Sequence, residues 1–95
     1  MYEIDRRLPG ADLVVRGIED LAAGRLSEEA LLVTAAAARL RSAGVAVTPA
    51  DIEAPLHRLY ELLSASDAAG AHSHYNALVG RMVSFARAAE RAAAG

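Results

Sequence analysis

An uncharged run in the middle of the chain constrains the fold more than any other feature. Residues 30–38 read Ala-Leu-Leu-Val-Thr-Ala-Ala-Ala-Ala, which is about two and a half helical turns without a charge. Alanine and leucine are the two best helix formers, and a run this rich in alanine is not typical of a buried strand. We therefore predict a central helix over residues 27–43 whose middle is enclosed on all sides.

The ends of that helix carry charges. Glu28 and Glu29 precede the run, and Arg39 and Arg41 follow it. The segment is consequently too short and too heavily flanked by charges to span a bilayer. Ser27 is a good N-cap residue, and the two glutamates complement the positive end of the helix dipole.

Composition narrows the class of protein. The chain has 95 residues, a formal net charge of −2 and no cysteine, which suits a single domain and excludes disulfides and thiolate metal sites. The first residues lack the order of a signal peptide, so a cytoplasmic location is the simplest expectation. Acidic and basic residues are mixed along the chain, and without a basic excess nucleic-acid binding is not expected.

Three further helices are predicted around the central one. Residues 11–23 place Val14, Val15, Ile18, Leu21 and Ala22 on one face and Asp12, Arg16, Glu19 and Asp20 on the other, where Arg16 can form exposed pairs with Asp12 and Asp20. Gly24 is expected to end this helix. Residues 71–92 form the last helix, with an apolar side that includes Tyr75, Leu78, Met82 and Phe85.

The remaining helix has an N-terminal signal and an internal proline. Thr48-Pro49-Ala50-Asp51 is a typical helix start, with a capping threonine and proline at the first helical position. Pro55 then either kinks the helix or divides it into a short turn and a main helix over residues 54–64.

These elements predict an all-α fold, a four-helix antiparallel bundle built by residues 11–95 around the central Ala/Leu-rich helix. Residues 1–10 are a short N-terminal arm, an ordered extension or a strand-like flap that Pro9-Gly10 terminates.

Histidines are the only candidates for acid–base or metal chemistry near neutral pH. His57 lies one helical turn from both Glu53 and Glu61. Such a row could supply metal ligands, but a site needs further ligands from another element, and a solvated helix face is the simpler interpretation. We therefore predict no metal site and no cofactor.

The most polar part of the chain lies at the start of the last helix. His72, His74, Tyr75 and Asn76 could form a small-ligand or anion pocket at a helix N-terminus, with Arg81 as a further donor. The alternative is ordinary capping and surface chemistry, because two histidines spaced two apart on a helix point in different directions.

A row of small residues on the last helix suggests an interface. Successive four-residue steps carry Gly80, Ser84 and Ala88 beside Ala77, a shallow surface that a second helix backbone can approach closely. Arg87 and Arg91 lie next to this row. Because a small domain that is 54% hydrophobic is expected to expose more apolar surface than one copy can cover, we predict a homodimer through the last helix.

The expected function follows from this surface. No phosphate-binding loop, dinucleotide fingerprint or nucleophile elbow occurs in the sequence. We expect a non-catalytic protein–protein interaction module that acts as a homodimer. The alternative is a small-ligand or metal-binding protein, enzymatic or not, that uses His72, His74 and Tyr75.

Overall fold

Five α-helices follow one another along the chain in the computed structural model, which describes residues 4–94. They are α1 (Ala11–Ala22), α2 (Glu28–Ala35), α3 (Ala37–Ser42), α4 (Pro55–Ser66) and α5 (Ala71–Ala94). Residues 4–94 contain no strand. The all-helical prediction is confirmed, whereas the number of helices is five instead of four.

The predicted central helix is interrupted at Ala36. The backbone angles there are φ −94° and ψ 4°, in place of about −63° and −42° for a regular α-helix. The two halves have different neighbours, because α2 packs against α1, α4 and α5, while α3 packs against α5 and α2. The break lets each half follow its own neighbour.

The enclosure of residues 30–38 is only partly as predicted. Ala30, Leu31, Leu32 and Val33 are at most 1% exposed, but Ala35 and Ala38 are exposed. The prediction of a run surrounded on all sides was therefore wrong for its second half, where the chain bends away and one side of the helix faces solvent.

The start of α4 also differs from the prediction. Thr48 and Pro49 do not open a helix; residues 43–54 form a connection without helix that ends at Ala54. Two buried valines, Val45 and Val47, fix this connection to the core, and the Ala50 N–H donates to Thr34 Oγ1 at 3.3 Å.

Pro55 explains where α4 begins. A proline disfavours right-handed helical geometry in the residue before it, and Ala54 has a left-handed backbone with φ 47° and ψ 59°. A helix started at Pro49 therefore cannot continue through Ala54. The main helix begins with Pro55 at its first position, one residue from the predicted start at residue 54.

The last helix begins at the predicted residue, continues to Ala94, two residues beyond the predicted end, and forms one wall of the core. Its largest buried side chains are Leu78, Met82 and Phe85, and Ala86 and Ala89 lie beside them. Where α1 begins, Gly10 lies so close to α5 that a Cβ atom would be 2.6 Å from the Arg81 carbonyl oxygen. A glycine at position 10 therefore permits both this close approach and the left-handed backbone, with φ 77°.

The N-terminal arm is described from Ile4 onward, and the first three residues of the predicted arm lie outside the described residues. Residues 4–10 form turns, in which the Leu8 N–H donates to the Asp5 carbonyl at 3.1 Å. Ile4 and Leu8 pack against the core. The arm is therefore an ordered turn; the strand-like alternative does not describe residues 4–10.

The helices share one core. It is formed by α1, α2, α4 and α5 together with Ala37 and Leu40 of α3 and the two loop valines. The described part of the chain measures 41 × 25 × 19 Å, and α5 alone, with 24 residues, is about 36 Å long. No helix in residues 4–94 has the length and apolar character needed to cross a membrane.

Candidate functional site

The polar residues predicted for ligand binding lie in the first turns of α5. His72, His74 and Asn76 are exposed, and Tyr75 is half-buried. The Asn76 amide nitrogen lies 3.2 Å from His72 Nε2, and it donates to that nitrogen when the nitrogen is unprotonated. This bond joins residues one helical turn apart and stays on the surface of α5.

Tyr60 of α4 closes the side of this cluster. Its ring meets Tyr75 edge to face with centroids 5.3 Å apart, and it meets His72 in the same way at 6.5 Å. Such edge contacts stabilise the packing of α4 on α5. Tyr60 and Tyr75 therefore contribute to the packing between α4 and α5.

The three histidines have three different neighbours. His74 Nε2 is 3.9 Å from Glu28 Oε1 at the start of α2, and His57 Nε2 is 3.7 Å from Glu61 Oε2 within α4. Both contacts become ion pairs only when the imidazole is protonated. Within residues 4–94 no group of three or more His, Asp or Glu side chains is arranged to hold a metal ion.

Arg81 is bound to another helix. Its Nη2 donates to Asp12 Oδ1 at 2.7 Å, and this hydrogen bond is the main reason why the pKa of Asp12 is lowered from its ordinary value. A guanidinium that already holds a carboxylate is a weaker anchor for an added anion. Among the side-chain hydrogen bonds of residues 4–94, none joins Arg81 to His72, Tyr75 or Asn76.

The predicted interface residues are on the outer side of α5 with one exception. Exposed positions are Ala77, Gly80, Ser84, Arg87 and Arg91. Ala88 is only 6% exposed and packs within the chain. The row of small residues accessible from outside therefore runs from Ala77 to Ser84.

Gly80 differs from the other glycines in residues 4–94. Gly24 and Gly44 have positive φ, as has Gly10. A Cβ atom on Gly17 would lie 2.5 Å from Val33 Cγ2, and one on Gly70 would lie close to the Asp67 carboxylate. Gly80 has no positive φ, and a Cβ atom there would meet nothing within 4 Å. Nothing within the described chain requires a glycine at this position.

An apolar groove of about 230 Å³ lies beside this face. It opens where the α2–α3 break meets α4 and α5, and its only charged lining residue is Arg39. Both Arg39 nitrogens that face α5 are bound to Glu90, at 2.7 and 2.9 Å. This pairing raises the pKa of Arg39 and lowers that of Glu90. The lining is Leu32, Ala35, Ala36, Arg39, Leu56, Val79, Met82, Val83 and Ala86.

A buried carboxylate was missed from the sequence. Asp20 was expected on the exposed face of α1 beside Arg16, but it is 5% exposed. Its Oδ1 accepts from Arg25 Nε and Nη2 at 3.0 and 2.8 Å, and its Oδ2 accepts from the Ser27 hydroxyl. The Ser27 bond, followed by the Arg25 bond, lowers the pKa of Asp20.

The Asp20 cluster joins two helices, and its carboxylate is buried while the Arg25 side chain is largely exposed. Ser27 Oγ also accepts from the Ala30 N–H at 3.1 Å, which confirms Ser27 as the N-cap of α2. One signal in the sequence points to this contact, since Asp20 follows Gly17 by three residues and so lies on the same side of α1. The cluster is a structural connection between α1 and α2.

Comparison with known proteins identifies no relative. No protein-family model, no curated protein and no solved structure matches this chain significantly.

Proposed function

We propose that the protein is a non-catalytic protein–protein interaction module that acts as a homodimer through the outer face of α5. The architecture we assume is the antiparallel four-element bundle, with α2 and α3 counted as one bent element. The cytoplasm is its proposed location, on the sequence grounds given above. The observation that supports the proposal most is that Gly80 lies in the middle of α5 with no positive φ and no close neighbour.

Gly80 lowers the stability of the isolated chain. A glycine in the middle of a helix is less favourable than alanine by about 1 kcal/mol. In the other described glycines this cost is offset by a left-handed backbone or by a close neighbour, but at Gly80 there is only open space. The absence of a side chain at this position would allow the backbone of a second helix to pack closely against it.

The neighbours of Gly80 fit such a contact. Ala77 and Ser84 are small and exposed on the same side, so the surface stays low over about two helical turns. Val79 and Val83 are half-buried at its edge and lead into the apolar groove. A second copy lying on α5 would cover the open side of that groove.

The charges favour an antiparallel arrangement of two α5 helices. In a two-fold symmetric pair centred between Gly80 and Ser84, each Gly80 faces Ser84 of the other copy. Arg91 then lies near the start of the other α5, where residues 71–76 include Ser73 and Asn76 and no arginine. A parallel pair would instead place equal arginines opposite each other and cost electrostatic energy.

Analytical ultracentrifugation with one pair of variants tests the proposal. We expect the wild-type protein to sediment as a dimer at micromolar concentration. Gly80→Gln places a long side chain on the close-approach surface and should shift the equilibrium to monomer. Ala65→Gln is the matched control, because Ala65 is also an exposed helical position but lies on α4, and it should leave the dimer intact.

Two results would contradict the proposal. One is a wild-type protein that remains monomeric throughout the micromolar range. The other is a dimer that Gly80→Gln and Ala65→Gln leave equally stable, since this would place the interface elsewhere. Circular dichroism of each variant confirms that its helix content is unchanged.

A further inference from the structure

A second, larger groove shares no lining residue with the groove beside α5. Its volume is about 780 Å³, and none of its lining residues belongs to α5. It is formed by the C-terminal end of α1, the α1–α2 connection, Arg41 at the end of α3, and residues 46–50 of the following loop. Its volume lies within the range of roughly 300–1,000 Å³ that is typical of small-molecule sites.

Both walls of this groove are attached to the rest of the fold by buried side chains or hydrogen bonds. One wall is the connection between α3 and α4, which is held by the buried Val47 and by the hydrogen bond from Ala50 to Thr34. The other is the end of α1, which the Asp20–Arg25–Ser27 bonds join to the start of α2. A preformed concave surface loses little conformational entropy when it binds a ligand.

The lining combines apolar surface with one sign of charge. Ile18, Leu21 and Leu26 contribute apolar side chains, and Leu26 is 45% exposed despite its size. The only charged lining residues are Arg25 and Arg41, in a chain whose formal net charge is −2. Arg25 is held by Asp20, whereas Arg41 makes no ion pair or side-chain hydrogen bond with any of residues 4–94.

We propose that this groove binds a free amphiphilic carboxylate, with its acyl chain on Ile18, Leu21 and Leu26 and its head group at Arg41. A guanidinium offers two parallel N–H donors to a carboxylate, and no carboxylate of the chain lines the groove to compete with the ligand. The chemical class is a medium-chain fatty acid, or another compound with one apolar chain and one carboxylate. This site is independent of the α5 face.

NMR titration of the ¹⁵N-labelled full chain provides the test, with decanoate added below its micelle-forming concentration. We expect saturable shifts in the amides of the groove, and weaker binding of 1-decanol, which has the same chain without the charge. Arg41→Gln should weaken decanoate binding by about three- to tenfold, through loss of a charge-assisted hydrogen bond, and leave the binding of 1-decanol unchanged.

Matched variants separate the two parts of the ligand. Arg16→Gln removes an exposed arginine of α1 that does not line the groove, and it should leave decanoate binding as in the wild type. Leu26→Asn should weaken decanoate and 1-decanol alike, because it removes apolar surface that both use.

Several outcomes would overturn the proposal. Equal binding of decanoate and 1-decanol would remove the role of Arg41, as would equal losses in Arg41→Gln and Arg16→Gln. Chemical shift changes confined to amides of α5 would show that the ligand binds to α5 and not in this groove. Binding only to vesicles that contain phosphatidylglycerol, with no response to free decanoate, would make a membrane surface the partner instead.

Discussion

Two helical glycines show how the same residue can have opposite effects. Gly17 lies where α1 and α2 pack closely, and a Cβ atom there would be 2.6 Å from the Glu29 carbonyl oxygen. Gly80 faces open space on α5. Neither has a positive φ, so the surroundings decide what an added methyl group does.

We predict that alanine substitutions at these glycines change stability in opposite directions. Gly17→Ala should destabilise the protein by about 1–3 kcal/mol, because it forces α1 away from α2. Gly80→Ala should stabilise the monomer by roughly 0.5–1 kcal/mol through helix propensity. Urea unfolding followed by circular dichroism, at a dilution where the protein is monomeric, measures both. A loss of stability in Gly80→Ala would show that this position is packed within the chain.

Asp20 couples stability to pH. Its ordinary pKa of 3.8 is lowered in the folded protein by the bonds from Ser27 and Arg25. A carboxyl whose folded pKa lies below its unfolded value stabilises the fold above the unfolded pKa, and this contribution is lost as pH falls through the folded pKa. The affected range therefore lies at and below the ordinary value of 3.8.

We predict that Asp20→Asn is less stable than the wild type at neutral pH and that the difference shrinks in acid. Free energies of unfolding measured in urea from about pH 7 down to about pH 3 provide the comparison. Asp51→Asn serves as the control, because Asp51 is exposed and makes no side-chain hydrogen bond in residues 4–94. Parallel pH profiles for the wild type and Asp20→Asn would contradict this assignment.

Individual helices show which terminal signals in the sequence are used. Ser27 and Thr48 each precede a pattern typical of a helix start, but only Ser27 caps a helix, through its bond from the Ala30 N–H. Thr48 is exposed and lies in the connection before α4. The N-cap of α4 is Ala54, which makes no side-chain cap bond.

We predict that alanine substitution lowers the stability of the fold at Ser27 much more than at Thr48. Ser27→Ala should cost about 1–2 kcal/mol, because it removes the cap of α2 and leaves Asp20 without one donor. Thr48→Ala should change stability by no more than about 0.5 kcal/mol. Chemical denaturation of both variants is sufficient, and a comparable loss in Thr48→Ala would mean that a helix does start at Pro49.

The chain as a whole depends on a small core in which Phe85 is the largest fully buried side chain of residues 4–94. A domain of this size has a total stability of about 5–15 kcal/mol, so one large cavity consumes a substantial part of it. Leu62 on α4 gives the contrasting case, since it is 39% exposed.

We predict that Phe85→Ala costs about 3–5 kcal/mol and lowers the midpoint of thermal unfolding by more than about 12 °C. Leu62→Ala should change stability by about 0.5 kcal/mol or less. Thermal melts followed at the helical circular dichroism band distinguish the two. A mild effect of Phe85→Ala would indicate that α5 does not form a wall of the core.

The sequence by itself determined the helical character of the chain and several helix ends. Helical periodicity and alanine content are local properties, and so are the cap at Ser27 and the left-handed glycine at Gly24, which has φ 77°. They act over one or two turns and need no information about neighbouring elements. This is why the extents of α1 and α5 agree closely with the prediction.

Only the tertiary structure decided how those helices are bent, joined and covered. The break at Ala36, the late start of α4 and the burial of Asp20 each depend on which element lies alongside. So does the choice of neighbour at His74, whose ring lies near Glu28 of α2. Such contacts join residues distant in sequence, and an alanine-rich run has the same local energy whether a neighbour covers it or not. Burial is a property of the pair of surfaces, and one stretch of sequence specifies only one of them.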